Sequence, residues 1–148
     1  MDYLRFLEEH GLDLAIFKNG ALIFSSAQEG LSPLVRAIEE VGLERLRGCV
    51  VADRVIGRAA ALLICLMGAR EAHALVMSKG ALRALEGHGI IAQARDLVEH
   101  ITAPDGKSPC LFERLVKDVE EPEEAYRLIV RRLRELRKPS EKSREQQA

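Results

Sequence analysis

Apolar residues fall in short, bounded runs along this chain, and the spacing inside each run names the element it forms. Tyr3, Leu4 and Leu7 sit at helical spacing, so Asp2 to His10 reads as a short edge helix. Gly11, able to take the left-handed conformation that ends helices, stops it. Leu12 to Lys18 and Ala21 to Ser25 are two apolar runs flanking Asn19-Gly20. A two-residue hairpin turn needs positive φ at both positions, which Asn-Gly supplies, so these runs predict two antiparallel strands. Ser32-Pro33 predicts a helix with Ser32 as its cap and Pro in the first turn. Leu34, Val35, Ile38 and Val41 make its inner face, and Gly42 lies near its end. Leu43 to Gly48 reads as a connector, with a helical piece as the alternative.

The middle of the chain reads as a strand feeding a buried helix. Cys49 to Ala52 is the strand, Asp53 is placed to cap the helix, and the helix runs to about Met67 before Gly68. After Arg58 this helix is apolar on every face, so it has to be enclosed by the rest of the fold. Glu71 to Met77 alternates weakly and reads as a strand ended by Ser78, which caps a helix from Ser78 to Glu86 that stops at Gly87-His88-Gly89. Ile90 to Ala94 is a further strand; Leu97 to Ile101 is its continuation or a separate piece. Ala103 to Lys107 has turn chemistry. Ser108-Pro109 then opens another helix, with Cys110 in its first turn and Leu111, Phe112, Leu115 and Val116 along it, ending near Glu120. Pro122 starts a last helix with Ala125, Leu128, Ile129, Leu133 and Leu136 inward. This alternation of strands and helices predicts an α/β chain, a three-layer α/β/α sandwich around a mixed five-stranded sheet that begins with a hairpin.

Composition narrows the picture without redrawing it. At 148 residues a single domain over 1–137 buries roughly two thirds of its unfolded surface and needs no external staple. The remainder, 138–148, is polar and reads as a disordered tail. The net charge of −1 leaves no broad electrostatic footprint for nucleic acid, which is not an expected partner. The Arg-rich face of the last helix, from Arg127 to Lys138, is offset by Glu120, Glu121, Glu123 and Glu124 and reads as solvated. The longest apolar run, Ala59 to Met67, is far short of the roughly 20 residues a membrane span takes. With no secretory leader pattern, the protein is expected in the cytoplasm. Cys49, Cys65 and Cys110 are odd in number and widely spaced, which fits reduced thiols.

Lys18-Asn19-Gly20, Gly30 to Leu34, Ala52 to Ala61, Met77-Ser78 and Ser108 to Glu113 resemble a small uncharacterised prokaryotic family, a domain of unknown function with a cytidine deaminase-like fold. The resemblance covers about residues 10–120 and is most specific over Asp53 to Ala61 and Pro109 to Glu113; the helix at about 122–137 lies outside it. It implies the same sheet between helices. It does not carry over the zinc chemistry. Zinc deaminases place a His or Cys, with the general acid/base Glu two residues on, at the first helix start, and Pro-Cys-x-x-Cys at the second. Here those places read Asp53-Arg54-Val55 and Ser78-Lys79-Gly80-Ala81, without the sulfur or imidazole that a catalytic zinc needs. His10, His73, His88 and His100 make no ligand pair with a cysteine. No zinc and no other cofactor is expected.

The candidate site follows from those two helix starts. Asp53 is either a plain cap or, kept ionised by Arg54 and Arg58, a group that orients a polar ligand. Gly57 marks a close approach to the backbone, by a neighbouring element or by the ligand. Ser78, the free N–H groups behind it and Lys79 form an opposite wall suited to phosphate or carboxylate, so that two helix N-termini face one cavity. Glu113 is read as reaching back to cap its own helix. Cys110, in a first helical turn, is the candidate nucleophile, although no His is assigned beside it as base. Three functions stay open: a small-molecule binding or sensor domain for a nucleotide-like or anionic metabolite, an enzyme using Cys110, and a non-catalytic module that assembles as a homo-oligomer.

Overall fold

The computed structural model describes residues 1–102 and 110–137. After helix α1 (Tyr3–His10) come the hairpin strands β1 (Leu14–Lys18) and β2 (Ala21–Ser26), then α2 (Ser32–Val41) and the short α3 (Leu43–Leu46). Two strand–helix units follow, β3 (Val50–Ile56) with α4 (Arg58–Met67) and β4 (Glu71–Ser78) with α5 (Lys79–Gly87), and then β5 (Ile91–Val98), α6 (Leu111–Leu115) and α7 (Pro122–Glu135). The strands form one sheet in the order β2-β1-β3-β4-β5. β1 is antiparallel to both β2 and β3, while β3, β4 and β5 run parallel. The sheet is therefore mixed, starts from a hairpin and carries helices on both sides.

The hairpin turns where Asn-Gly sits, with φ of 50° at Asn19 and 79° at Gly20. Helix α1 is held at both ends as its sequence requires. Asp2 accepts from the Arg5 N–H, and Gly11 takes the left-handed conformation at φ 62°. Among the described residues it is the helix that covers one face, where Leu4 and Leu7 pack on Ala15, Phe17, Val50 and Ala52. The opposite face carries the larger core, centred on α4, which contacts α2, α5, α6 and α7. Ala59 to Ile64 and Met67 of α4 are all buried. This is the enclosed helix that its all-round apolar pattern predicts, and its Leu62, Leu63, Ile64 and Met67 each contribute about 1.5–3 kcal/mol by leaving water.

Three local expectations are corrected, and one left open is decided. Asp53 does not cap α4, because β3 runs on for three residues past it: Asp53 pairs with Leu14 on one side and Ala74 on the other, and Val55 and Ile56 continue the ladder to Val76 and Met77. Pairing on both edges at Asp53 and on the β4 edge beyond it outweighs a local cap signal, since the ladder satisfies backbone groups that a turn there would leave open. The cap position of α4 is Gly57. Ser32 is the first residue of α2 rather than its cap; Leu31 occupies that place and makes no side-chain cap. The piece after Ile90–Ala94 continues the same strand to Val98. Finally, α6 closes at Leu115 instead of reaching Glu120. The turn at Ala103 to Lys107, the Ser108-Pro109 helix start and the tail 138–148 lie outside the described residues. No helix among the described residues is long and apolar enough to cross a membrane.

Candidate functional site

The parallel strands β3 and β4 both end at the start of a helix, and the two starts are built differently. At α4 the cap residue is a glycine with no side chain to offer. The first turn is closed instead by Glu113 of α6, whose Oε1 accepts from Arg58 N at 2.7 Å and whose Oε2 accepts from Ala59 N at 2.9 Å. A Cβ on Gly57 would lie 2.5 Å from Glu113 Oε1, so the glycine is what lets the carboxylate reach the backbone. The close approach expected at Gly57 is thus a neighbouring side chain. Glu113 does not cap its own helix; it supplies the anion that the N-terminal dipole of α4 favours. Arg58 is equally committed. Its Nε donates to Val116 O at 3.2 Å, one terminal nitrogen donates to Val119 O, and the same nitrogen lies 3.5 Å from Glu120 Oε1.

Asp53 lies just upstream, 8% exposed, lining a cavity of about 560 Å³ between β3, α4 and α6. Leu31, Ala59, Ala60, Cys110 and Phe112 give the cavity an apolar character; Asp13, Glu29, Asp53 and Glu113 are its acids, and Arg54 is its one Arg or Lys among the described residues. Arg54 is turned to Asp13, Nε to Oδ1 at 3.0 Å, and to the Leu12 carbonyl at 3.0 Å. The expected cluster of Asp53 with Arg54 and Arg58 does not form, because Arg54 is on the strand and Arg58 on the helix, each with partners of its own. Burial pushes the Asp53 carboxyl well above its usual range; the nearby Asp13 adds to this, and the Arg54 and Val55 N–H groups oppose it. Its apolar setting therefore disfavours the ionised form of Asp53, against the fixed anion the sequence suggests.

At the other junction Ser78 behaves as its sequence predicts. Its Oγ accepts from Ala81 N at 3.0 Å, and the residue is 2% exposed. Lys79 pairs with Glu99. Ser78 lines a second cavity of about 570 Å³ with Arg58, Arg83, Arg114 and Lys117. This cavity meets the first only along Ile101 and Glu113, so Asp53 and Ser78 do not face one shared space. The two-helix anion cradle is corrected on that point: one helix start is filled by Glu113, and the other opens into a separate groove.

Cys110 occupies the cap position before the five-residue α6 and donates its backbone N–H to Ile101 O at 3.1 Å. Cys110 lines the Asp53 cavity, and among the described residues that line it there is no His to serve as an imidazole base for a nucleophilic thiol. Burial pushes the Cys49 and Cys65 thiols up to about 11. Among the described residues no group of three or more His, Cys, Asp or Glu side chains is placed to hold a metal ion. Sequence reasoning missed Asp13, Glu29, Leu31 and Phe112 as lining residues. Asp13 had a signal, an acid directly ahead of an apolar strand; Glu29 and Leu31, in the link before α2, had none.

The sequence matches a family model over residues 3–133, described as TM1506, Domain of unknown function (DUF1893). The fold is similar to the crystal structure of a DUF1893 family protein from Thermotoga maritima, with 32% sequence identity, 87% of this chain and 86% of that chain covered, and a TM-score of 0.79. No curated protein matches the sequence. The chain belongs to the DUF1893 family.

Proposed function

We propose that this DUF1893 protein is a small-molecule binding domain whose ligand occupies the Asp53 cavity. The observation that carries the reading is Asp53 itself, a carboxyl 8% exposed with no ion-pair partner among the described residues, lining an apolar cavity of about 560 Å³. Burying a carboxyl without a counter-charge is costly, and such groups concentrate at binding and catalytic sites. The cavity is within the size range of small-ligand sites. Its chemistry favours an uncharged or weakly basic polar heterocycle, nucleobase-like, over a phosphate. Four acids line it, its single guanidinium is already bound, and the α4 N-terminus is occupied by Glu113. A protonated Asp53 can donate one hydrogen bond and accept another, which suits a ring edge carrying a donor beside an acceptor. The three free thiols support a reducing, cytoplasmic setting.

The test is a thermal-shift and calorimetric screen of nucleobases, nucleosides and nucleotides against wild type and Asp53→Ala. A bound nucleobase or nucleoside at 100 times its Kd raises wild-type stability by about 2.7 kcal/mol. It leaves Asp53→Ala unmoved, and added phosphates bring no gain. The reading fails if no compound shifts the wild type, or if the variant responds equally. Cys110 gives a second readout. With Cys49 and Cys65 held up near 11, iodoacetamide at neutral pH labels Cys110 first, and a cavity ligand slows that labelling.

A further inference from the structure

We propose that the outer edge of β5 is the docking site for β5 of a second copy, paired antiparallel about Ala94 so that one sheet runs through both protomers. Among the described residues β5 pairs only with β4, and its eight residues hold an unbroken register with it from Ile91 to Val98. Six of the eight are exposed, and two of them are large and apolar, Ile91 at 54% and Leu97 at 47%. A long, regular edge strand whose outer backbone donors and acceptors have no strand partner among the described residues is a template for further pairing. The other edge, β2, is not comparable. It is shorter, and its pairing with β1 is broken by a register shift between Ile16 and Phe17, the kind of irregularity that twists an edge away from partners.

The sequence of β5 selects a second copy as the occupant. In an antiparallel pair related by a two-fold axis, opposed side chains share a face only when the axis passes through a residue. Centred on Arg95 or on Asp96, two like charges face each other; centred on Gln93, Ile91 meets Arg95. Centred on Ala94, Ile91 opposes Leu97, Gln93 opposes Arg95, Ala92 opposes Asp96, and alanine meets alanine on the axis. Of the registers that pair five or more residues of β5, this one alone sets the exposed apolar side chains against each other with no like-charge contact. Arg95 is already held by Glu8 of α1, which leaves guanidinium donors for the Gln93 amide oxygen of the copy. The described residues on either side of 103–109, Thr102 and Cys110, lie at the Asp53 cavity, and Arg137 lies beside α2, the helix that packs on β2.

Cysteine cross-linking tests the register, with Cys110→Ser as background. Directly opposed residues in an antiparallel pair have Cα atoms about 4.5–5.5 Å apart, within disulfide reach, whereas diagonal neighbours are about 7–8 Å apart. Ala94→Cys is therefore expected to give a disulfide-linked dimer on mild oxidation at least tenfold faster than Gln93→Cys. Light scattering on wild type is expected to show the 16.5 kDa mass doubling as concentration rises. Ala94→Lys, which places two ammonium groups on the axis at an exposed position, returns the monomer with a Tm matching that of wild type at the low concentrations where wild type is itself monomeric. Monomer at every concentration overturns the proposal, as does a dimer indifferent to Ala94→Lys or equal cross-linking at positions 93 and 94. Capture of a foreign strand, without doubling, overturns it as well.

Discussion

The ends of β3 and β4 pose the same problem, four unpaired N–H groups at the start of a helix, and the chain solves it in opposite ways. At β4–α5 the cap is local: Ser78 takes the N–H of Ala81, three residues on. At β3–α4 the cap is imported: Gly57 stands aside, and the carboxylate of Glu113 crosses from a segment more than fifty positions away to take both Arg58 N and Ala59 N. The local solution is self-sufficient. The imported one makes the central helix depend on how α6 is seated, because Arg58 in turn ties α4 to the carbonyls of Val116 and Val119 just after it. The Glu113 carboxylate and the Arg58 side chain thus together join the first turn of α4 to the segment that lines both cavities.

Removing the imported cap is expected to have the largest effect. Glu113→Ala leaves two backbone donors of a buried helix without their acceptor and should lower stability by about 3 kcal/mol in urea unfolding. Glu113→Gln keeps one carbonyl oxygen and should lose about half as much. Gly57→Ala approaches the contact from the other side. Its φ of −92° suits alanine, so any loss comes from the methyl displacing Glu113 Oε1 at 2.5 Å, about 2 kcal/mol. The two changes should not add, since without the Glu113 carboxylate the methyl meets no clash. A Gly57→Ala, Glu113→Ala protein no less stable than Glu113→Ala alone is the expected result of the cycle. Additive losses would show that the glycine serves some other contact.

The same contrast explains what the sequence could tell. Features decided within a few residues were legible: the Asn19-Gly20 turn, the Gly11 stop, the Ser78 cap, and the enclosure of α4 from an apolar pattern on all its faces. The five-stranded mixed sheet followed from the alternation of such elements. Features decided by distant partners were not legible. Asp53 has every local mark of a cap, yet pairing with β1 and β4 keeps it in a strand. Its distance from Arg58 and the turn of Arg54 toward Asp13 depend on that placement. Glu113 sits three residues after Cys110, which suggests a cap within its own helix, and nothing nearby in sequence points to Gly57. Of the residues named as a site, Asp53, Arg54, Gly57, Cys110 and Glu113 line one cavity and Arg58, Ser78 and Glu113 the other, while Lys79 lines neither. The partition into two spaces was not predictable from spacing.

The local cap gives a smaller loss. Ser78→Ala is expected to lower stability by about 1 kcal/mol, the usual value of a serine N-cap, with no effect on Cys110 labelling across the molecule. A loss as large as that of Glu113→Ala would mean that α5 is no more self-sufficient than α4.

Asp53 supplies the finest distinction, read as a slope against pH rather than an offset. Burial raises its carboxyl above the unfolded value, so the folded state holds the proton more tightly. The stabilisation from that proton is fully present below the unfolded pKa of about 3.9, declines as pH rises above it, and is gone once pH passes the folded pKa. Asp53→Asn carries no such proton. The stability of wild type relative to the variant is therefore expected to be highest at and below about pH 4 and to fall as pH rises from there to the folded pKa, with the variant flat by comparison. A ligand that accepts a hydrogen bond from the protonated carboxyl raises that folded pKa further and moves the fall to higher pH. A difference between the two proteins that is constant with pH would mean that Asp53 is solvated and ionised, and the cavity would lose the group on which its chemistry rests.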